Sequence, residues 1–152
     1  FEDGTMVKLT SIPAAVIDEV VSRVKMPEIP VWHNPDNERD EQNPNDPGYI
    51  VAVQETERKR GAAMIDAVIM FGIQLVDGMP ENEAWITRLR FMEKRGQMDM
   101  SAYDLEDPME KEFVYKRFSA PMWMITRVQE LSAVSQGDIS KAKRLFRGKT
   151  KG

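Results

Sequence analysis

Apolar residues recur along most of this chain at helical spacing, and prolines and capping residues mark where each run starts. The first signal is different. Thr5 to Leu9 (TMVKL) alternates, with Val7 and Leu9 on one side, which predicts a short extended element. Ser11 then stands as an N-cap two residues before Pro13, a residue tolerated in a first helical turn. Along AAVIDEVVSRV the residues Val16, Ile17, Val20 and Val24 fall on one face, so a short amphipathic helix is expected to end near Lys25.

From Met26 to Pro47 the pattern breaks. Prolines at 27, 30, 35, 44 and 47 bracket the polar run HNPDNERDEQNPND. Each proline removes a backbone donor and pushes its predecessor into an extended conformation. The expectation is an extended acidic linker without regular structure, docked through Ile29, Val31 and Trp32. Asp46 with Pro47 then opens the longest helix, running to about Gly72, with Ile50, Val53, Met64, Val68, Phe71 and Leu75 on one face. Its middle, QETERKR, is polar all round; pairs such as Glu55 with Lys59 and Glu57 with Arg60 support it by roughly 0.2–0.5 kcal/mol each. The small residues Gly61 to Ala63 would let another backbone approach.

Further helix starts follow. Pro80 opens ENEAWITRLRFMEKR, where Trp85, Ile86, Leu89 and Met92 share a face. Asp107 and Pro108 open MEKEFVYKRF, with Met109, Phe113 and Phe118 inward. Pro121 opens MWMITRVQEL, where Trp123 or Met124 lines up with Val128 and Leu131. Last, SQGD (Ser135 to Asp138) has the form of a capping box before ISKAKRLF, whose Ile139, Ala142, Leu145 and Phe146 point inward. The pattern therefore predicts a mainly α chain: a compact multi-helix domain with a short N-terminal extended or β element and a Pro-rich linker. Residues 1–25 form the strand and helix element, 26–47 the linker and 48–152 the helical domain.

Composition sharpens this picture. With 152 residues, 41% hydrophobic and 30% charged, the chain is long and apolar enough to bury a core. Twenty-one basic against 25 acidic residues leave a net charge of −4, which does not draw nucleic acid or anionic lipid to the surface as a whole. No cysteine is present, so disulfides and thiolate metal sites are excluded. FEDG at the start has neither the basic nor the apolar character of a signal peptide, and none is expected. Met64 to Ile73 (MIDAVIMFGI) is interrupted by Asp66 and flanked by charge, and so falls short of the about 20 apolar residues a membrane span needs.

That stretch is apolar nearly all round in its last turns and requires cover on every side. Either neighbouring helices of the same chain wrap it, or a second chain completes the face. Eleven methionines are a heavy load; methionine suits adaptable apolar surfaces as well as core filling. The candidates for a partner surface are Ile69, Met70, Ile73, Met98, Met100, Met122, Trp123 and Met124.

Candidate chemistry is sparse. His33 is the single histidine, too few for a zinc site or a His-based triad. Asp36, Glu38, Asp40 and Glu41 lack the glycine and terminal glutamate of a calcium loop. Neither a phosphate-binding glycine loop nor G-x-S-x-G occurs. The expectation is no catalytic residue, no cofactor and no metal. The basic C-terminus (Lys141, Lys143, Arg144, Arg147, Lys149, Lys151) after the AVSQG turn has the outline of a helix-turn-helix. Basic residues at a helix end also simply complement its dipole.

The order of segments resembles the tail assembly chaperones of long-tailed bacteriophages. The resemblance is carried by DGTMVKLTSIP near the start, QNPNDPGY (Gln42 to Tyr49), AMIDAVIMFGIQLVDGMPENEAWITRLRFMEKRG, YDLEDPMEKEFVYKR and AVSQGDISKAKRLFRG. It covers most of the chain, in helix starts, core faces and turns rather than an active site. It implies a non-enzymatic, mostly helical, self-associating protein in the host cytoplasm. Such a protein binds the tape-measure protein, and the tail tube protein, during tail assembly. APMWMI departs from the pattern, which leaves Met122 to Met124 outside what the resemblance carries. The alternatives are a structural component of the tail or head–tail connection, including one kept in the virion, and a helix-turn-helix DNA-binding module.

Overall fold

The computed structural model describes residues 1–133. The expected capping box at Ser135, the helix after it and the basic run from Lys141 lie outside the described residues. The chain divides into two compact units: Phe1–Ala14 with the chain from Asp66 onward, and Ala15–Ile65. In order, the elements are β1 (Val7–Leu9), α1 (Ala14–Ser22), β2 (Val31–Asn34), β3 (Arg39–Gln42) and α2 (Pro47–Ala67). A π-helical turn (Val68–Gly72), β4 (Ile73–Leu75), α3 (Ala84–Lys94) and α4 (Pro108–Ser119) follow. A last helix, α5, spans 122–133. The protein is thus helix-rich with short strands, not all-helical. No described helix is long and apolar enough to cross a membrane.

The second unit holds α1, the β2–β3 hairpin and most of α2. The hairpin corrects the expectation of a linker without regular structure. Val31 pairs with Gln42 and Asn34 with Arg39 in an antiparallel register. The prolines delimit these strands instead of preventing them: Pro30 precedes β2, Pro35 lies in the turn and Pro44 follows β3. Asparagine side chains shape the turn. Asn34 Oδ1 accepts from Asp36 N and Asn37 Oδ1 from Arg39 N, both at 3.0 Å, while Glu38 takes a φ of 54°. Asp46 Oδ1 accepts from Tyr49 N at 2.9 Å and starts α2 as expected. Along α2, Glu55 meets Arg58 at 2.8 Å and Lys59 at 3.8 Å, and Glu57 meets Arg60 at 3.7 Å.

The first unit carries the core. At the end of α2 the backbone widens into the π turn and then extends, so that Ile73–Leu75 pairs antiparallel with Val7–Leu9. The extra residue per turn shifts the phase of the helix. Val68 stays buried, but Phe71, expected inward, is 46% exposed. Ile69, Ile73, Val114, Tyr115 and Val128 are the largest fully buried side chains. Each buried aliphatic contributes roughly 1.5–3 kcal/mol. Gly72 is where the π turn meets α5: a Cβ there would stand 2.3 Å from Val128 Cγ1 and 3.2 Å from Ile12 Cδ1, so only glycine permits the approach. Ile12 N in turn donates to Ser132 Oγ at 2.9 Å.

Two links fix α4 against this core. Lys116 is only 4% exposed, and its Nζ donates to Ile73 O at 3.0 Å and Met70 O at 3.3 Å, with Glu112 Oε1 at 3.0 Å. The ammonium thereby bonds one carbonyl of the π turn and that of Ile73, the first residue of β4. Arg117 pairs with half-buried Asp66; burial pushes the Asp66 carboxyl above its ordinary value, and the guanidinium opposes that. Asp107 caps α4 by accepting from Met109 N at 2.9 Å, as its sequence predicts. Met109 and Phe118, expected inward, are instead exposed. Met109 sits in the first turn, beyond the reach of the core.

Candidate functional site

An apolar groove of about 560 Å³ opens in the first unit. α3 supplies Trp85, Arg88, Leu89 and Met92, one stripe of the helix at i, i+3, i+4 and i+7. The junction of α4 and α5 supplies Phe118, Ser119, Ala120 and Pro121. α4 stops there because Ala120, which precedes a proline, is extended (φ −75°, ψ 118°). Phe1 to Asp3 and Pro80 complete the lining.

Aromatic packing and one hydroxyl cluster place these walls. Tyr115, fully buried, stacks edge-on to Phe1 at 5.6 Å between ring centroids and meets Trp85 at 5.3 Å. Its hydroxyl donates to Asp3 Oδ2 at 2.6 Å and is hydrogen-bonded to Thr5 Oγ1 at 2.7 Å. Tyr103 packs edge-on to Phe118 at 6.4 Å. Beneath the groove floor, Leu89 joins Met100 and Val114 in a buried cluster against which Trp85, Met98, Leu105 and Phe113 pack. Among the described residues, Trp85 Nε1 is buried without an acceptor.

Asp3 on the groove lining and its partner Tyr115 both depart from their ordinary values. The hydrogen bond from Tyr115 keeps Asp3 below the usual carboxylate range, against the opposing effect of burial. Burial, aided by the bond to Asp3, pushes the Tyr115 hydroxyl up to about 12. At neutral pH Asp3 is therefore an anion and Tyr115 a neutral donor, and neither titrates near 7 as an efficient general acid or base would. Among the described residues, no group of three or more His, Asp or Glu is placed to hold a metal ion. The groove offers apolar contact over Trp85, Leu89, Met92 and Phe118, with the Arg88 guanidinium on its lining.

None of the eight candidates taken from the sequence lines this groove. Ile69, Ile73, Met100 and Met124 lie in the core at 7% exposure or less, and Met98 packs half-buried on the Leu89 cluster. These five correct the expectation of a partner surface. β1, α4 and α5 of the same chain cover the end of α2, so no second chain is needed there. Met70 is 46% exposed, Met122 66% and Trp123 61%; these three face solvent. Of the two options in α5, Met124 is inward and Trp123 outward. Sequence reasoning missed the groove because its walls lie far apart in the chain. The available signal was Trp85, Leu89 and Met92 on one stripe of α3, with Pro80 and Pro121 punctuating the helices that frame it.

Comparison with family models, with curated proteins and with solved structures finds no match.

Proposed function

We propose that this protein is a non-enzymatic, mainly α tail assembly chaperone of a long-tailed bacteriophage, holding an apolar segment of the tape-measure protein in the host cytoplasm. The observation that carries the reading is the groove between α3 and the α4–α5 junction. Its wall residues Met92 and Phe118 are 38% and 42% exposed. A volume of about 560 Å³ accepts a few large apolar side chains, as a helix-in-groove contact requires. Methionine and aromatic walls adapt to varied sequences, which suits a client read by hydrophobicity. The sequence resemblance supplies the class of client; the tail tube protein is the second one it implies.

Co-expression with the tape-measure protein, followed by affinity capture, tests the proposal. The client is expected to stay soluble and to co-purify with this chain. A client equally soluble in its absence, and not captured in its presence, overturns the reading.

A further inference from the structure

Two surfaces of this chain carry opposite charge, and each presents an exposed aromatic ring. In the first unit, α3 turns Arg88, Arg90 and Lys94 to solvent, joined by Arg95 at its C-cap. None of these four cations forms an ion pair among the described residues. Glu93, the one carboxylate of α3, turns away: its Oε1 accepts from Met100 N at 3.0 Å. At 100° per residue Phe91 lies amid the cations. It is 60% exposed, with the Arg95 guanidinium 5.8 Å from its ring centroid.

In the second unit, the β2–β3 hairpin carries Asp36, Glu38, Asp40 and Glu41 against Arg39 alone. Asp36 and Glu38 have no ion-pair partner among the described residues, and Asp40 meets only His33, at 3.0 Å. Trp32 and Val31 on the same hairpin are 45% and 62% exposed.

We infer that the acidic hairpin of one copy docks, with Trp32, on the basic face of α3 of a second copy. The charges are complementary, and each element carries an exposed aromatic: Phe91 amid the cations of α3, and Trp32 opposite Glu41 on the hairpin. The lengths match: Arg88 to Arg95 rises about 10 Å along a helix, and four paired strand residues span about 13 Å. Each contact pairs a hairpin with an α3 face: made reciprocally it closes a two-fold dimer, and made in sequence it builds a ring or an open chain. Arg88 belongs to both this face and the groove lining, whereas Arg90 and Lys94 do not line the groove, so substitutions at these two leave the groove walls unchanged.

Sedimentation of the full chain in about 0.05 M and about 0.5 M salt tests the inference, since such pairing is screened over this range. Assemblies above the monomer mass are expected at low salt, dissociating at high salt. The Arg90→Glu/Lys94→Glu and Asp36→Lys/Glu38→Lys variants should each lose association by about tenfold or more. Mixed in equal amounts, the two variants should recover it, because each then meets a complementary surface. Should either charge reversal impair folding, the neutral pair Arg90→Gln/Lys94→Gln with Asp36→Asn/Glu38→Gln replaces it, with a smaller loss expected. A monomeric wild type at low salt, variants that associate like wild type, or a mixture no more associated than either variant each overturns the inference. Capture of the tape-measure protein by the Arg90→Glu/Lys94→Glu variant remains intact in every case if the groove reading holds, which separates the two proposals.

Discussion

Replacing Lys116 by methionine is expected to destabilise the protein by about 2–4 kcal/mol, although the substitute has similar length and an apolar end. The reason lies in what the ammonium holds. Its Nζ bonds Ile73 O at 3.0 Å and Met70 O at 3.3 Å, the first of these in a buried setting. A buried acceptor left without a donor costs about 1–3 kcal/mol; Ile73 O is that acceptor, and the partly buried Met70 O loses the ammonium with it. The ion pair with Glu112 is the smaller part, because that carboxylate is 42% exposed and water screens it. Glu112→Gln should therefore cost less than about 1 kcal/mol. Denaturant unfolding of both variants checks the split. If Lys116→Met loses under 1 kcal/mol, or if Glu112→Gln matches it, the carbonyl-bonding role assigned to Lys116 is wrong.

Alkaline pH should remove about 3 kcal/mol of stability through one side chain, Tyr115. Its hydroxyl ionises near 12 in the folded chain, against about 10 when unfolded. Below pH 10 both states keep the proton, and the stabilisation is fully present. Between 10 and 12 the unfolded state releases its proton while the folded state holds on, so each unit of pH costs about 1.4 kcal/mol. Asp3 works at the opposite end. Its carboxyl is held low by the same hydrogen bond, so its contribution is present above the ordinary carboxylate range and is lost as pH falls through the folded value. Tyr115→Phe should lose the hydroxyl bonds at neutral pH and lack the alkaline loss. Unfolding curves for wild type and variant at pH 9 and pH 11.5 isolate this effect from the other titrating groups. Parallel losses in the two proteins would contradict it.

Sequence patterning located the helices well where a cap and a proline coincided. Asp46–Pro47 and Asp107–Pro108 start α2 and α4, and Pro121 immediately precedes α5. Patterning failed where a local signal was overruled by pairing at a distance. β4 follows the π turn directly and exists because β1, more than 60 residues earlier, offers a partner. The hairpin is hidden in the pattern because prolines commonly break regular structure, whereas here they sit just outside the paired residues. Lys116, placed by its sequence neighbours on a charged helix, gave no sign of being buried; only the carbonyls of Met70 and Ile73 explain it. For the candidate site the same holds. The stripe of Trp85, Leu89 and Met92 is legible, but its partners come from two distant segments, Phe1 at the start of the chain and Phe118 with Pro121 at the α4–α5 junction. The methionine-rich runs divided: half of their residues fill the core, and Met122 with Trp123 stays outside.

Client binding in the groove depends on its two half-exposed walls, Met92 and Phe118. Calorimetric titration with an apolar helical segment of the tape-measure protein should compare wild type with Met92→Glu/Phe118→Glu, two changes at positions 38% and 42% exposed. The account predicts binding to wild type with a negative heat-capacity change, weakened by the double substitution by about tenfold or more, which is about 1.4 kcal/mol. Equal affinity for the two proteins, with the variant folded, would contradict it.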